Sequence, residues 1–474
     1  MFDKFREECG LMGVWNHREA ANLTYLGLYA QQHRGQEGAG IVAVDEARSF
    51  AVHRGLGLVA DVFNEFDFAA RLPGRRAIGH VRYTTAGGHK LANVQPFAAE
   101  ISLGQMAVAH NGNLINADTL RKELISDGAI FSATSDTEVF IHLLARGKKN
   151  VPLVESVIAA LHQVKGAFSL LFLFKDRMFA VRDPNGLRPL VLGELDGAAV
   201  VASETCAFDL VGAKYVRDIA PGELVEISGE REIKSYFPFG HVKPSPCVFE
   251  YVYFARPDSN VFGRNVYAVR KRLGEELARE QPVAADFVIP VPDSGTTAAI
   301  GFSQAAGIPL ELGLIRNHYV GRTFIEPQQS IRDFGVKIKL NANPELLRGK
   351  RIVVVDDSIV RGTTSRKLVQ MLRAAGAREV HMRVSSPPTI GPCYYGIDTP
   401  EREDLIAAQK TIPEIAAYIG VDTLGYLSLE GLYRAVNSAA GKFCDACFSN
   451  NYPLGTTSPH VERQPELFTV PPAR

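Results

Sequence analysis

The chain is poor in cysteine, nearly devoid of tryptophan and carries no excess charge. Six cysteines stand among 474 residues, too few for the disulfide framework of a secreted scaffold, so catalysis or metal binding gains weight. Lysine plus arginine and aspartate plus glutamate number 52 each. That balance gives no electrostatic case for nucleic acid or an anionic membrane as the main partner. No stretch reaches the roughly 18 uncharged apolar residues of a membrane span. The first eight residues, MFDKFREE, are charged where a secretory signal has an apolar core. A cytoplasmic location is the expectation. The length suits two or three domains at roughly 150 residues each.

What is present divides into two rhythms. The first half holds short β-like runs between glycine turns: LMGVW (11–15), GIVAV (40–44), AIGHVRY (77–83), MAVAHNG (106–112), FSLLFLF (168–174) and ELVEI (223–227). Residues 18–33 and 151–164 are its best helical candidates. This half reads as layered α+β with mostly antiparallel sheets. Periodicity fails over REIKSYFPFGHVKPSP (231–246), where a domain boundary is expected. Beyond it, helical stretches alternate with fully apolar runs: DFVIPVP (286–292), IPLELGLI (308–315), KRIVVVDDS (350–358) and REVHMRVSS (378–386). Such runs suit parallel strands buried on both faces, so the second half is α/β. The polar tail after Cys447 is expected to end in a mobile stretch.

The most informative string is RIVVVDDSIVRGTTSRKLVQML (351–372). It reads as a buried strand, an acidic pair, a small polar loop and a helix. The loop Arg361-Gly362-Thr363-Thr364-Ser365 falls where helix N–H groups and the helix dipole form a phosphate site. Asp356 and Asp357, at the strand's C-terminal end, can hold ribose hydroxyls or a divalent metal. A bare strand with an N-capping acid and a solvated turn would carry the same elements without the chemistry. The whole string resembles the phosphoribosyl pyrophosphate (PRPP) motif of type I phosphoribosyltransferases. That resemblance assigns Asp356 and Asp357 to the ribose and Mg²⁺, and residues 361–365 to the 5′-phosphate. By the same resemblance, Asp293, Ser294 and Gly295 in the loop Pro292–Thr296 form the pyrophosphate loop, with Ser294 a further Mg²⁺ contact. RNHYVGRTFIEPQQSIRD (316–333) reads as a mobile lid over a charged substrate, the alternative being an ordinary solvated loop.

The first half suggests a different chemistry. Cys9, in EECGLMGVW, taken alone is better read as a structural thiol. Its company changes that reading. HRGQEGAGI (33–41), GHVRYTTAG (79–87), HNGNL (110–114) and TSDTEVF (134–140) follow in order. Together they resemble the N-terminal-nucleophile glutamine amidotransferases. Amide hydrolysis needs a nucleophile, a base, an oxyanion hole and a grip on the amino acid. Cleavage before Cys9 would free an α-amine of pKa roughly 7.7–8.0 to serve as base. The resemblance implies that Cys9 is the nucleophile and that Asn111 and the Gly112 N–H form the oxyanion hole. It also implies that Arg82 pairs with the glutamine carboxylate and that Asp136 meets its ammonium. Thr85 and His110 are further contacts or packing residues.

The two halves in this order resemble the amidophosphoribosyltransferase family across nearly the whole chain. That resemblance implies a propeptide (1–8), an N-terminal-nucleophile glutaminase domain (9–235), a type I phosphoribosyltransferase domain (236–455) and a tail (456–474). It implies transfer of the glutamine amide nitrogen to C1 of PRPP, the opening step of purine synthesis. Mg²⁺, inhibition by purine nucleotides and a homotetramer are family expectations. From spacing alone Cys247, Cys393, Cys444 and Cys447 suit zinc, an iron–sulfur centre or unpaired structural thiols. The family resemblance points to a [4Fe–4S] cluster on all four, while Cys206 reads as a small buried residue. Three rivals stay open: an amidotransferase acting on a sugar phosphate, a PRPP-binding regulator without catalysis, and a chain whose first half never matures.

Overall fold

The computed structural model describes residues 9–45, 47, 49–83, 90–148, 150–240, 243–317 and 340–456. The proposed propeptide, Thr85, all but the first two residues of the predicted lid, and the tail from 457 onward lie outside them.

Two antiparallel sheets lie face to face in the first half. One has seven strands, in spatial order Lys214–Asp218, Val191–Leu195, Ala198–Ala202, Gly10–Trp15, Arg76–Arg82, Gly38–Val44 and Phe50–Leu56. The other has six: Glu232–Tyr236, Leu224–Ser228, Arg177–Arg182, Gly166–Phe174, Gly104–Leu114 and Phe97–Ile101. Side-chain alternation explains why both faces of the central strands are apolar. Leu171 and Leu173 enter the layer between the sheets, against Leu11, Ile78 and Ala109. Phe168, Leu170 and Phe172 face the other way, onto Phe140 and Leu161 of outer helices. Met12 and Ile41 likewise pack on Leu28, in the helix Ala20–Ala30 across the seven-stranded sheet. The result is helix, sheet, sheet, helix, as the rhythm of the first half predicts.

The two expected helices appear at Ala20–Ala30 and Leu153–Leu161. Helices at Ala117–Ser126 and Glu138–Ala145 were not anticipated. The final strand, Glu232–Tyr236, pairs with Leu224–Ser228, so the six-stranded sheet continues into the stretch that had looked like a linker.

The second half is α/β around a parallel sheet ordered Phe287–Pro290, Arg351–Asp356, Glu379–Val384 and Thr423–Tyr426. Its faces are covered by Val266–Glu280 and Thr296–Ala306 on one side and by Thr363–Ala374 on the other. The first two helices approach closely through glycines: a Cβ on Gly274 would lie 1.8 Å from the Ala298 carbonyl oxygen, and one on Gly301 1.9 Å from that of Lys271. Only a residue without a side chain fits there.

IPLELGLI does not add a regular parallel strand. The Val288 N–H donates to the Pro309 carbonyl (2.8 Å) and the Glu311 N–H to that of Val288 (2.9 Å), after which the chain departs. Pro309 has no N–H to continue a ladder, and Leu314–Arg316 instead pairs antiparallel with Leu340–Ala342. The fourth parallel strand, Thr423–Tyr426, is short, contains Gly425 and gave no apolar run to find. Among the described residues no helix is long and apolar enough to cross a membrane.

Candidate functional site

The structure builds two separate polar centres and a cysteine-lined cavity. The first centre lies at one end of the stacked sheets. Cys9 immediately precedes Gly10, which pairs with Val81, one residue before Arg82. The His80 ring bonds the His110 carbonyl at 3.2 Å, which ties the two sheets beside Asn111. Cys9 is half-buried, and its thiol donates to the Tyr83 carbonyl at 3.7 Å. Burial pushes the thiol up to about 11, opposed by the Tyr83 contact and the charge of Arg82 and assisted by that of Asp136. Cys9, Arg82 and Asp136 therefore share one electrostatic neighbourhood.

Asn111 is fully buried, and among the described residues neither its amide nitrogen nor its amide oxygen has a hydrogen-bond partner. A buried primary amide left in that state is costly unless a ligand completes it. Next to it, Gly112 has φ +147°, and a Cβ there would fall 2.0 Å from the Ala167 carbonyl oxygen.

Burial raises the Asp136 pKa, yet His110, the Leu114 N–H (2.9 Å) and Thr137 outweigh it and hold the carboxyl below its usual range. It is thus ionised and suited to a cation. His110 is buried between the Thr137 hydroxyl and the Ala167 carbonyl, each at 3.2 Å from a ring nitrogen, and its Nδ1 lies 3.7 Å from the Asp136 carboxylate.

Several participants were missed. Arg34 donates through Nε to the Cys9 carbonyl at 3.3 Å. Its other nitrogens pair with Glu204, and with Glu250 at 2.8 Å, all three side chains being almost wholly buried. Glu204 also accepts from the Ser259 hydroxyl (2.7 Å) and the Arg256 N–H (2.9 Å) and contacts His33 at 2.8 Å. Despite burial, His33 and Arg34 drive its pKa far down. Arg34 lies inside HRGQEGAGI and Glu204 two residues before Cys206, but neither position names its partner in the second half. Cys206 is buried as expected, its Sγ 3.8 Å from Glu204.

The second centre follows the parallel strands. The string 351–372 folds as its pattern predicts: a strand to Asp356, a loop, then a helix from Thr363 with Gly362 before it at φ +77°. The helix start presents backbone N–H groups and the positive end of the dipole to this loop. Asp356 and Asp357 are almost fully buried. The Ser358 hydroxyl donates to Asp357 at 2.6 Å, and the Asp357 N–H to Asp356 at 2.9 Å. Arg361 is exposed and ion-paired with Asp404 at 2.9 Å. After the neighbouring strand Phe287–Pro290, Asp293 and Ser294 lead into the helix Thr296–Ala306, and the Pro292–Asp293 peptide is cis. The Val291 N–H donates to the Val355 carbonyl at 2.9 Å, so both loops leave adjacent strand ends. Asp293 pairs with Arg316, one of the two described residues of the predicted lid. Among the described residues, no group of three or more His, Cys, Asp or Glu side chains is arranged to hold a metal ion.

Cys247, Cys393, Cys444 and Cys447 line a single cavity with Phe249 and Tyr452. None forms a disulfide. Cys247 and Cys444 face each other in a β-bridge, and the Cys447 carbonyl accepts from Ile390 and Gly391, next to Cys393. Burial pushes Cys247 and Cys444 up to about 12, and charge on the neighbouring thiols adds to it. Arg188, buried beside them, donates to the Tyr395 carbonyl at 2.9 Å.

Comparison with known proteins agrees with this division. Residues 81–209 match the glutamine amidotransferase domain and residues 263–387 the phosphoribosyl transferase domain. An amidophosphoribosyltransferase of Rhizobium etli is 53% identical over 464 residues, covering 95% of this chain and 92% of the other. That of Bacillus subtilis is 50% identical over 467 residues, covering 96% and 97%. The solved glutamine PRPP amidotransferase from B. subtilis, complexed with ADP and GMP, superposes with TM-score 0.90 at 49% identity, covering 96% and 99%.

Proposed function

We infer the roles of individual residues from one premise: the chain belongs to the amidophosphoribosyltransferase family. It transfers the amide nitrogen of glutamine to C1 of PRPP, yielding 5-phosphoribosylamine, glutamate and pyrophosphate, the first committed step of purine synthesis. The observation that carries this is identity of 53% over 464 residues, spanning both centres.

In this reading Cys9 attacks the glutamine amide. Removal of residues 1–8 would expose its α-amine as the base, in place of a separate histidine. The unpartnered Asn111 amide and the Gly112 N–H would hold the oxyanion. Arg82 would take the α-carboxylate and ionised Asp136 the α-ammonium, with Thr85 nearby by resemblance. In the second half, residues 361–365 would bind the 5′-phosphate at the helix start, and Asp356 and Asp357 the ribose. Asp293, Ser294 and Gly295 would line the pyrophosphate. Mg²⁺, when bound, would neutralise the leaving pyrophosphate. Two carboxylates plus substrate oxygens suit Mg²⁺, which seldom uses an all-protein cage, so Ser294, Asp356 and Asp357 would hold it together with PRPP.

Four thiols line one cavity, and Cys247, Cys444 and Cys447 among them are hindered from ionising by burial and by neighbouring thiols. Drawn together from their present spacing, they would form a donor set that metal charge completes. We assign them a [4Fe–4S] cluster that, when bound, fastens Cys444 and Cys447 to Cys247 and Cys393. Analysis of anaerobically purified protein should find about four irons and four sulfides per chain; bound zinc without sulfide would overturn this. The domain limits 9–235 and 236–455, the cytoplasmic location and a homotetramer belong to the same reading. The B. subtilis relative's complex with ADP and GMP supports purine nucleotides as inhibitors.

The decisive assay follows phosphoribosylamine formation from glutamine and PRPP. Turnover with a hexose phosphate and none with PRPP would refute the acceptor. N-terminal sequencing of active enzyme should begin at Cys9; Met1 retained at full activity would refute the amine base.

A further inference from the structure

We propose that Gly396 and Asn113 are positioning residues for amide hydrolysis: they hold the oxyanion-binding backbone at Gly112 against the second half of the chain. The proposal rests on the reading of Asn111 and the Gly112 N–H as the oxyanion hole.

Gly112 is gripped from two sides. On its own sheet, Asn113 lies opposite Ala167 and Gly112 opposite Phe168, leaving no room for a side chain. From the second half, Gly396 comes against it at φ +105°. A Cβ on Gly396 would stand 2.8 Å from the Gly112 carbonyl carbon, 3.0 Å from its Cα and 3.1 Å from its carbonyl oxygen. These are backbone atoms, which cannot swing away as a flexible side chain would. The adjoining Asn113 amide crosses the same boundary and donates to the Tyr394 carbonyl at 3.0 Å.

The approaching segment is itself fixed. The Tyr395 carbonyl accepts from Arg188 at 2.9 and 3.2 Å. Its hydroxyl donates to the Gly455 carbonyl at 2.7 Å and accepts from the Leu454 N–H at 3.0 Å. The Tyr395 ring is buried with Ala167 and Leu187 of the first half. Residues 394–396 therefore form a rigid stop behind Gly112. An oxyanion donor acts only if it already points where charge will develop, and displacement of about 1 Å in such a site can cost a hundredfold in rate. A methyl group at Gly396 would push the Gly112 peptide by several tenths of an ångström while leaving Cys9, Arg82 and Asp136 in place.

The test compares Gly396→Ala, Asn113→Ala and Asn111→Ala in the full chain, by glutamine-dependent and ammonia-dependent synthesis at saturating PRPP. Asn111→Ala should lower the glutamine-dependent kcat about 10²–10³-fold. Gly396→Ala should lower it about tenfold or more and Asn113→Ala a few-fold. In all three, KM for glutamine and ammonia-dependent synthesis should stay within about twofold, a split that general loss of stability would not produce. Unchanged kcat in Gly396→Ala beside a crippled Asn111→Ala would overturn the positioning role and leave the oxyanion hole standing. Unchanged kcat in Asn111→Ala would remove the oxyanion reading itself. If Gly396→Ala does not fold, Asn113→Ala decides, since it changes no backbone; wild-type kcat there overturns the proposal.

Discussion

The two centres are built on opposite plans. The proposed phosphoribosyl centre is nearly continuous: one strand, one loop and one helix between Arg351 and Ala374 carry the acidic pair and the loop proposed to cradle phosphate. The proposed glutamine centre is dispersed. It draws Cys9, Arg82, Asn111 and Asp136 from four places and leans on Glu250, Tyr394 and Gly396 of the other half. A continuous site depends on local backbone geometry, whereas a dispersed one depends on the contacts that hold distant strands in register. The second kind is therefore the one exposed to damage from outside its own domain.

The largest test of this contrast is Cys9→Ala. Loss of the proposed nucleophile should cut glutamine-dependent synthesis by roughly 10⁴-fold or more. Ammonia-dependent synthesis should stay within about twofold, and loss of both in a folded protein would mean the centres are not separable. Asp357→Asn is the complement. Both syntheses should fall by about a hundredfold or more, because ammonia and glutamine share the acceptor; survival of the ammonia reaction would remove Asp357 from the PRPP site.

Arg34→Met probes the connection between halves. It strips a buried cation from Glu204 and Glu250 and should cost about 3–5 kcal/mol in stability, read by chemical denaturation. A loss below about 1 kcal/mol would show that the two glutamates find other partners.

The smallest effect concerns acid. Burial, with Arg82 nearby, lowers the His80 pKa to about 3 from 6.5. Between those values the unfolded chain binds a proton that the folded chain does not, so stability falls as pH falls below 6.5. The contribution is about 2 kcal/mol between pH 6.5 and 5. His80→Gln should show a correspondingly shallower decline over that range, and an identical slope would place the acid sensitivity elsewhere.

How much could be read in advance follows the same contrast. KRIVVVDDS and RGTTS announced strand, acids, loop and helix because every partner lies within some twenty residues. The layered first half was legible through alternation, since each central strand buries both faces. IPLELGLI misled, because an apolar run says nothing about where Pro309 will break the ladder. Glu204 and Arg34 went unnoticed although Arg34 stood in a quoted string and Glu204 two residues from Cys206. A charged residue looks the same in sequence whether it is solvated or sealed against a partner 170 residues away.

The sequence alone determined the two chemistries and their order, and it supplied the residues proposed to carry them, because those readings depend on residue type and short spacing. Tertiary structure alone decided that Arg34 is neutralised by both halves, that four cysteines ring one cavity, and that Gly396 lies against Gly112. Each of these is a contact between segments far apart in the chain. Such contacts arise only when burial of the intervening strands brings the segments together and removes the water that would otherwise have satisfied them.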